Sequence, residues 1–246
     1  MHESIEMTAV FAGKTVVIVG GTSGIGLAAA RQAKKLGAKV IVVGLDKVRS
    51  SKAAEENGFD DWRAADVTNS ESLNEALRTI DRVDHLVLLA GTFVAGKVLE
   101  ADVAYLRKAF DERIWAAVHA LKAVEGRLSR DGSVTFISGS LADRPNAHGT
   151  AVLAAASAAM EAFARGLALE LAPIRVNTLS PGPIDTPLIA KTMGEGRDGF
   201  VAALESALPL HRLGTAEEAG AAVVFLMHNG FMNGATINVD GGARLI

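Results

Sequence analysis

Short apolar runs alternate with helical patterns along almost the whole chain, from Lys14 to Val239. Runs such as Val16-Val17-Ile18-Val19 and Val40-Ile41-Val42-Val43 are β-branched and continuous rather than alternating in polarity. Strands of that kind are buried on both faces, which calls for a parallel sheet with helices packed above and below it. The pattern predicts strands over Val16–Val19, Val40–Val43, Trp62–Ala65, His85–Leu89, Ser133–Ile137, Ile174–Leu179 and Ala235–Val239. It predicts helices over Gly24–Leu36, Lys47–Asn57, Ser70–Thr79, Ala104–Leu128, Gly149–Leu171 and Ala216–Met227. The expected architecture is α/β, a doubly wound parallel sheet with helices on both faces, in a single domain over residues 11–246. Residues 1–10 are expected to be a flexible N-terminal tail. Ile189–Gly199 holds three glycines and is expected to be a mobile lid.

Composition narrows the function classes. A chain of 246 residues can bury a sizeable core. Its formal net charge of -3 gives no basic field, so a nucleic-acid partner is disfavoured. The absence of cysteine removes thiolate catalysis and cysteine-ligated zinc. The start, Met1-His2-Glu3-Ser4, lacks the basic and apolar regions of a secretory signal. The longest low-polarity stretch, Ala151–Met160, reads as too short to span a bilayer. The expectation is a cytoplasmic protein acting on a small-molecule substrate, with no membrane and no metal.

The first strand runs into Gly20-Gly21-Thr22-Ser23-Gly24-Ile25-Gly26, and a helix opens at once. Glycines there let the backbone turn sharply and approach a pyrophosphate, while the helix N-terminus offers unpaired N–H groups. The purely structural alternative is a tight strand-to-helix turn.

With this turn the chain resembles the short-chain dehydrogenase/reductase family over nearly its whole length. The turn is similar to the family's TGxxxGIG, with Val19 in place of threonine. Asp66-Val67 resembles the pair that holds the adenine ring. Ala90-Gly91 resembles the end of the NNAG motif, with Leu88 and Leu89 in place of both asparagines. Pro181-Gly182-Pro183-Ile184-Asp185-Thr186-Pro187 resembles the segment beside the nicotinamide, where Ile184 and Thr186 would contact the carboxamide or a nearby phosphate. The resemblance implies a Rossmann-like fold. It implies cofactor contacts at Gly20, Thr22, Ser23, Gly24, Ile25, Gly26, Asp66, Val67, Ala90, Gly91, Pro181, Gly182, Ile184 and Thr186. It also implies a homodimer or homotetramer built on the helices from Ala104 and Gly149.

The family's Asn-Ser-Tyr-Lys tetrad does not carry over. The register of the Gly149 helix places Leu153 at the tyrosine and Ser157 at the lysine. Ser140 keeps the serine, thirteen residues before Leu153, and Arg113 stands at the asparagine. No Tyr-x-x-x-Lys occurs anywhere in the chain. Leucine cannot transfer a proton, so another group must do so if redox turnover survives. Two candidates join Ser140. His148, five residues before Leu153, titrates near neutral pH and is a possible donor; a solvated loop histidine is the alternative. Arg113 has the length to reach the volume vacated at Ser157, to bind ribose hydroxyls or an anionic substrate; an ion pair is the alternative.

Gly44 occupies the end of the second strand, where an acidic residue would hold the ribose of NAD. Thr22, Ser23, Lys47 and Arg49 suit a phosphate and Asp46 opposes it, so NADP(H) is favoured over NAD(H). The leading expectation is an NAD(P)(H)-dependent oxidoreductase on a carbonyl or alcohol substrate, with altered proton delivery. The alternatives are a non-catalytic dinucleotide sensor or partner subunit, and a non-redox lyase or isomerase reusing the pocket.

Overall fold

A computed structural model describes residues 9–246. Most of the expected tail, residues 1–8, lies outside the described residues. The tail ends at Phe11, whose ring is buried in the core.

The strands are β1 (Thr15–Val19), β2 (Lys39–Gly44), β3 (Asp61–Ala64), β4 (Val83–Leu88), β5 (Leu128–Ile137), β6 (Arg175–Pro181), β7 (Ile184–Asp185), β8 (Gly214–Thr215) and β9 (Thr236–Val239). The helices are α1 (Gly24–Lys35), α2 (Lys47–Asn57), α3 (Ser70–Leu77), α4 (Val103–Phe110), α5 (Ala116–Ala123), α6 (Ala151–Glu170), α7 (Pro187–Met193), α8 (Arg197–Ala207) and α9 (Ala216–His228). Seven strands form one sheet in the order β3-β2-β1-β4-β5-β6-β9, and every pairing in it is parallel. The doubly wound Rossmann-like fold is therefore as expected.

Alternate residues of each strand serve opposite faces. Val17, Val19, Leu86 and Phe136 pack with α3, α5 and α6. Val16, Ile18, Val40 and Val42 pack with α1 and α9 on the other side. Because both faces are covered, the middle strands are mostly apolar, and buried polar residues among them such as Asp84, His85 and Asn177 are hydrogen-bonded.

Three expectations need correction. The helix expected over Ala104–Leu128 is two helices joined by a π-helical turn at Asp111–Trp115, and it stops at Ala123. Leu128 begins β5 instead, after Gly126 adopts φ 74°. Second, Ile189–Gly199 is not a loose loop: it falls in α7, a 3₁₀ turn at Gly194–Gly196, and the start of α8. Arg197 ties this segment down through Asp185, 2.8 Å away. Third, the apolar stretch at Ala151 extends to Glu170, 20 residues, long and apolar enough to cross a bilayer by length and composition. Its inner face is spent on the protein: Met160, Ala164 and Leu167 are buried in the core beneath it.

Asp84 latches the start of β4 to the start of β1. Its side chain is fully buried and accepts from the Thr15 N–H at 2.9 Å and from Arg82 Nη2 at 2.7 Å. Burial alone would push its carboxyl up. The Arg82 and Thr15 bonds outweigh this and hold it below the usual carboxylate value. A depressed folded value means the stabilisation is complete above the ordinary carboxylate range and is lost as pH falls through the folded value. Asp84→Ala is expected to cost about 3 kcal/mol at neutral pH, because it strands a buried N–H and breaks a buried ion pair. Urea unfolding of both proteins at pH 7 and pH 3 checks this. A cost that does not shrink in acid would show that the ionised carboxylate is not the stabilising species.

Candidate active site

The C-terminal ends of β1 and β4 lie side by side at the centre of the sheet, and β1 is also paired to β2. From β3 the chain crosses over β2 and β1 to begin β4, so the loops after β1 and β4 splay apart and leave a crevice. The glycine turn occupies one wall. Gly20 has φ 86°, and a Cβ there would sit 2.7 Å from the Ala90 backbone nitrogen. A Cβ at Gly26 would collide with the Gly20 carbonyl. Only glycine lets the turn close this tightly and bring α1 onto the strand end.

The N-terminus of α1 is open. Ser23 stands at the cap in extended conformation, yet its side chain makes no capping bond, and no acidic residue lies in the first turn. The first helical hydrogen bond runs from the Leu27 N–H to the Ser23 carbonyl at 3.1 Å. The amides of Gly24, Ile25 and Gly26 therefore project from the helix end, where the dipole is positive. Thr186, at the start of α7, closes over this turn: its side chain lies 3.3 Å from where a Gly24 Cβ would be. Ile184 is buried beneath it in β7. Gly182 bonds to the Val239 carbonyl at 2.9 Å, which fixes the path from Pro181 into this segment. The arrangement can hold a polyphosphate against backbone amides, without a metal and without a lysine.

Asp66 and Val67 follow β3. Asp66 is exposed, and one of its oxygens is engaged by Thr68 through N–H and hydroxyl, at 2.9 and 2.7 Å. Val67 lines a small cavity with Leu88, Ala90, Arg113 and Met160, about 20 Å³, the size of a single water.

The tetrad positions take a different course. Leu153 is 3% exposed and packs with Val94, Leu106, Ala109 and Ala156, so the expected tyrosine position is filled by a hydrophobic cluster. Ser157 is buried one turn further along α6, and its carbonyl accepts from Ser138 Oγ at 3.1 Å. The same hydroxyl lies 2.7 Å from Glu161 Oε1, so its single proton is shared between the two acceptors, a polar contact that the sequence did not reveal. Ser140 opens a 3₁₀ turn at the end of β5. His148 is exposed; its backbone N–H bonds to Asn146 Oδ1 at 2.9 Å. Among the described residues no hydrogen bond joins Ser140, His148 and Arg113.

Arg113 does not follow either expectation. It makes no ion pair among the described residues, and its guanidinium points to the loop after β4. It donates to the Thr92 carbonyl at 3.1 Å and, more weakly, to the Ala109 carbonyl at 3.3 Å. It also lies 3.6 Å from where a Gly91 Cβ would be. The neighbouring Glu112 accepts from the Thr92 N–H at 2.6 Å and its hydroxyl at 2.7 Å. Two adjacent side chains on the π turn thus grip both sides of Thr92 and fix the wall of the crevice at Ala90 and Gly91. Arg113 Nε is buried without a partner among the described residues. Burial pushes the guanidinium below its usual value, with Glu112 opposing.

The end of β2 lies against Thr22 and Ser50. A Cβ on Gly44 would lie 2.6 Å from Ser50 Oγ and 2.7 Å from Thr22 Cγ2, so no acidic side chain fits there. Asp46 is committed as the cap of α2, accepting from the Arg49 N–H at 2.7 Å. The first turn of α2 carries Lys47 and Arg49, whose charge opposes the helix dipole and is offset by the Asp46 carboxylate at the cap.

Comparison with known proteins agrees with this geometry. A model of the family described as enoyl-(acyl carrier protein) reductase matches residues 19–244. A short-chain dehydrogenase/reductase of Stachybotrys chlorohalonatus is 36% identical, over 95% of this chain and 98% of its own. A cyclic-di-GMP-binding biofilm dispersal mediator protein of Escherichia coli is 32% identical, over 94% of this chain and 97% of its own. Among solved structures, a small-chain dehydrogenase in complex with NADPH superposes with a TM-score of 0.82 and 36% identity, covering 95% of this chain and 99% of that one.

Proposed function

The chain belongs to the short-chain dehydrogenase/reductase family, a family of oxidoreductases, and we propose that it binds NADP(H) in the β1–β4 crevice and reduces a carbonyl, or oxidises an alcohol, without a tyrosine proton donor. The observation that carries this reading is the open N-terminus of α1 in its glycine cradle, with Thr186 closing over it. NADP(H) when bound supplies or accepts the hydride. The chain's part is to place it. Gly24, Ile25 and Gly26 hold phosphate oxygens through backbone N–H groups. Asp66 and Val67 would flank the adenine, and Lys47 and Arg49 would meet the ribose phosphate, with no acidic side chain at Gly44 to repel it. Ala90, Gly91, Pro181, Gly182 and Ile184 line the nicotinamide end. Arg113 makes no ion pair among the described residues, and its bond to the Thr92 carbonyl fixes the crevice wall at Gly91.

Ser140 remains as a hydroxyl to orient the substrate oxygen, and His148 as a solvent-fed acid. A second reading, a dinucleotide-binding protein without turnover, is favoured by the apolar packing around Leu153. The exposed small residues Ala151, Ala155 and Ala158 on α6 suit association with a second copy as a homodimer or homotetramer.

Calorimetry with the four dinucleotide forms tests the binding step. NADPH is expected to bind at least tenfold more tightly than NADH, and Lys47→Glu with Arg49→Glu to reverse or erase that preference. Absence of binding by all four forms would remove both readings.

A further inference from the structure

Glycine follows asparagine three times in the chain, at Asn57-Gly58, Asn229-Gly230 and Asn233-Gly234. Such a pair carries its own chemistry. The side-chain Cγ lies within reach of the next backbone nitrogen, and glycine has no Cβ to obstruct the attack. The fold decides which pair can react, because the attacking N–H and the amide under attack must both be able to move.

Two of the pairs are held. Asn57 ends α2; its Oδ1 accepts from Arg31 Nε at 2.5 Å and its Nδ2 donates to the Ala53 carbonyl at 2.7 Å. The Gly58 N–H points back into the helix, toward the Ala54 and Glu55 carbonyls. Asn233 accepts from the Val176 N–H at 2.8 Å and donates to the Ala168 carbonyl at 3.1 Å. The Gly234 N–H donates to the Val176 carbonyl at 2.7 Å. Asn229 differs. It stands at the C-cap of α9 in extended backbone, and its Oδ1 accepts from the Phe231 N–H at 3.0 Å. Among the described residues its Nδ2 and the Gly230 N–H make no hydrogen bond. Gly230 is exposed, and so is the whole of Phe231. The loop is next anchored at Met232, whose carbonyl accepts from Asn177 Nδ2 at 2.9 Å, and at Asn233.

We propose that Asn229 is a site of spontaneous modification, where the folded chain deamidates to aspartate and isoaspartate while Asn57 and Asn233 are protected. The Gly230 nitrogen attacks Asn229 Cγ. An N–Cγ bond forms, the Cγ–Nδ2 bond breaks, and the departing nitrogen takes the Gly230 amide proton and leaves as ammonia. Water then opens the resulting succinimide at either carbonyl, and nothing is oxidised or reduced. The isoaspartyl product carries the backbone through the former side chain. One extra carbon thus enters the link between α9 and the anchor at Asn233, which holds that link to α6 and β6.

The test is incubation of the full chain at mildly alkaline pH, folded and in urea, with deamidation assigned residue by residue by tandem mass spectrometry. In the folded chain Asn229 is expected to react at least about tenfold faster than Asn57 or Asn233, a factor equivalent to about 1.4 kcal/mol. Opening a single hydrogen bond costs about that much, and each protected pair must open more than one. In urea the fold no longer discriminates, and the gap should close. Gly230→Ala should slow the reaction at Asn229 at least about fivefold, because the methyl obstructs the attack. A Cβ at Gly230 meets nothing within 4 Å, so this variant keeps the fold. No reaction at Asn229 in the folded chain, faster reaction at Asn57 or Asn233, a gap that persists in urea, or a Gly230→Ala rate equal to the parent's would each overturn the proposal. Every readout is made without dinucleotide, so this site and the crevice are judged separately.

Discussion

With simple ketones and NADPH, kcat/KM is expected to fall about 10²–10⁴-fold below that of a relative with the tyrosine in place, the contribution of a positioned general acid. The cause is visible on α6. Leu153 is held within the cluster of Val94, Leu106, Ala109 and Ala156, and no donor replaces it within that cluster. Steady-state rates on a panel of ketones measure the deficit; a rate within tenfold of the relative would mean that a different group delivers the proton. His148→Ala identifies whether that group is His148, through a changed pH–rate profile. Installing Leu153→Tyr with Ser157→Lys is not expected to close the gap. A tyrosine must displace the packed cluster, at about 1–3 kcal/mol. A lysine at the buried position 157 must find a place beside Ser138 and Glu161. Arg113 also remains on Thr92 rather than yielding the relay position.

Gly26→Ala is expected to weaken NADPH binding about 100-fold, or nearly 3 kcal/mol. The added methyl meets the Gly20 carbonyl, which is backbone and cannot rotate away. The turn must open, and the amides at the head of α1 lose their common focus. Calorimetry reads the affinity, and circular dichroism confirms that the variant is folded. Affinity within threefold of the parent would place the phosphates elsewhere.

The sheet was legible because its strands are apolar on both faces, a pattern with few other uses. The helices α7 and α8 were not, and the reason is physical: neither buries a single residue, so neither carries an apolar stripe to read. Three glycines there suggested looseness, while the Arg197–Asp185 pair that anchors the segment joins residues twelve apart. The glycine turn was readable because its geometry is local. Arg113 was readable as a position but not as a contact. Its target, Thr92, is 21 residues away, and the π turn that aims it has no pattern of its own in the sequence.

The strand order has a consequence for how such a protein can change. On the proposed reading the phosphate cradle belongs to β1 and α1, while the candidate reacting groups follow β5 and lie before α6, across the β1–β4 junction. The two halves share one core, in which Val17 and Val43 pack with Phe136 and Met160, but the loops at their strand ends are separate segments of chain. Chemistry can therefore be erased on one side without disturbing grip on the other, and a catalyst can drift into a receptor, or toward a new reaction, while still holding the same coenzyme. A fold divided this way lets one half explore while the other keeps the protein in use.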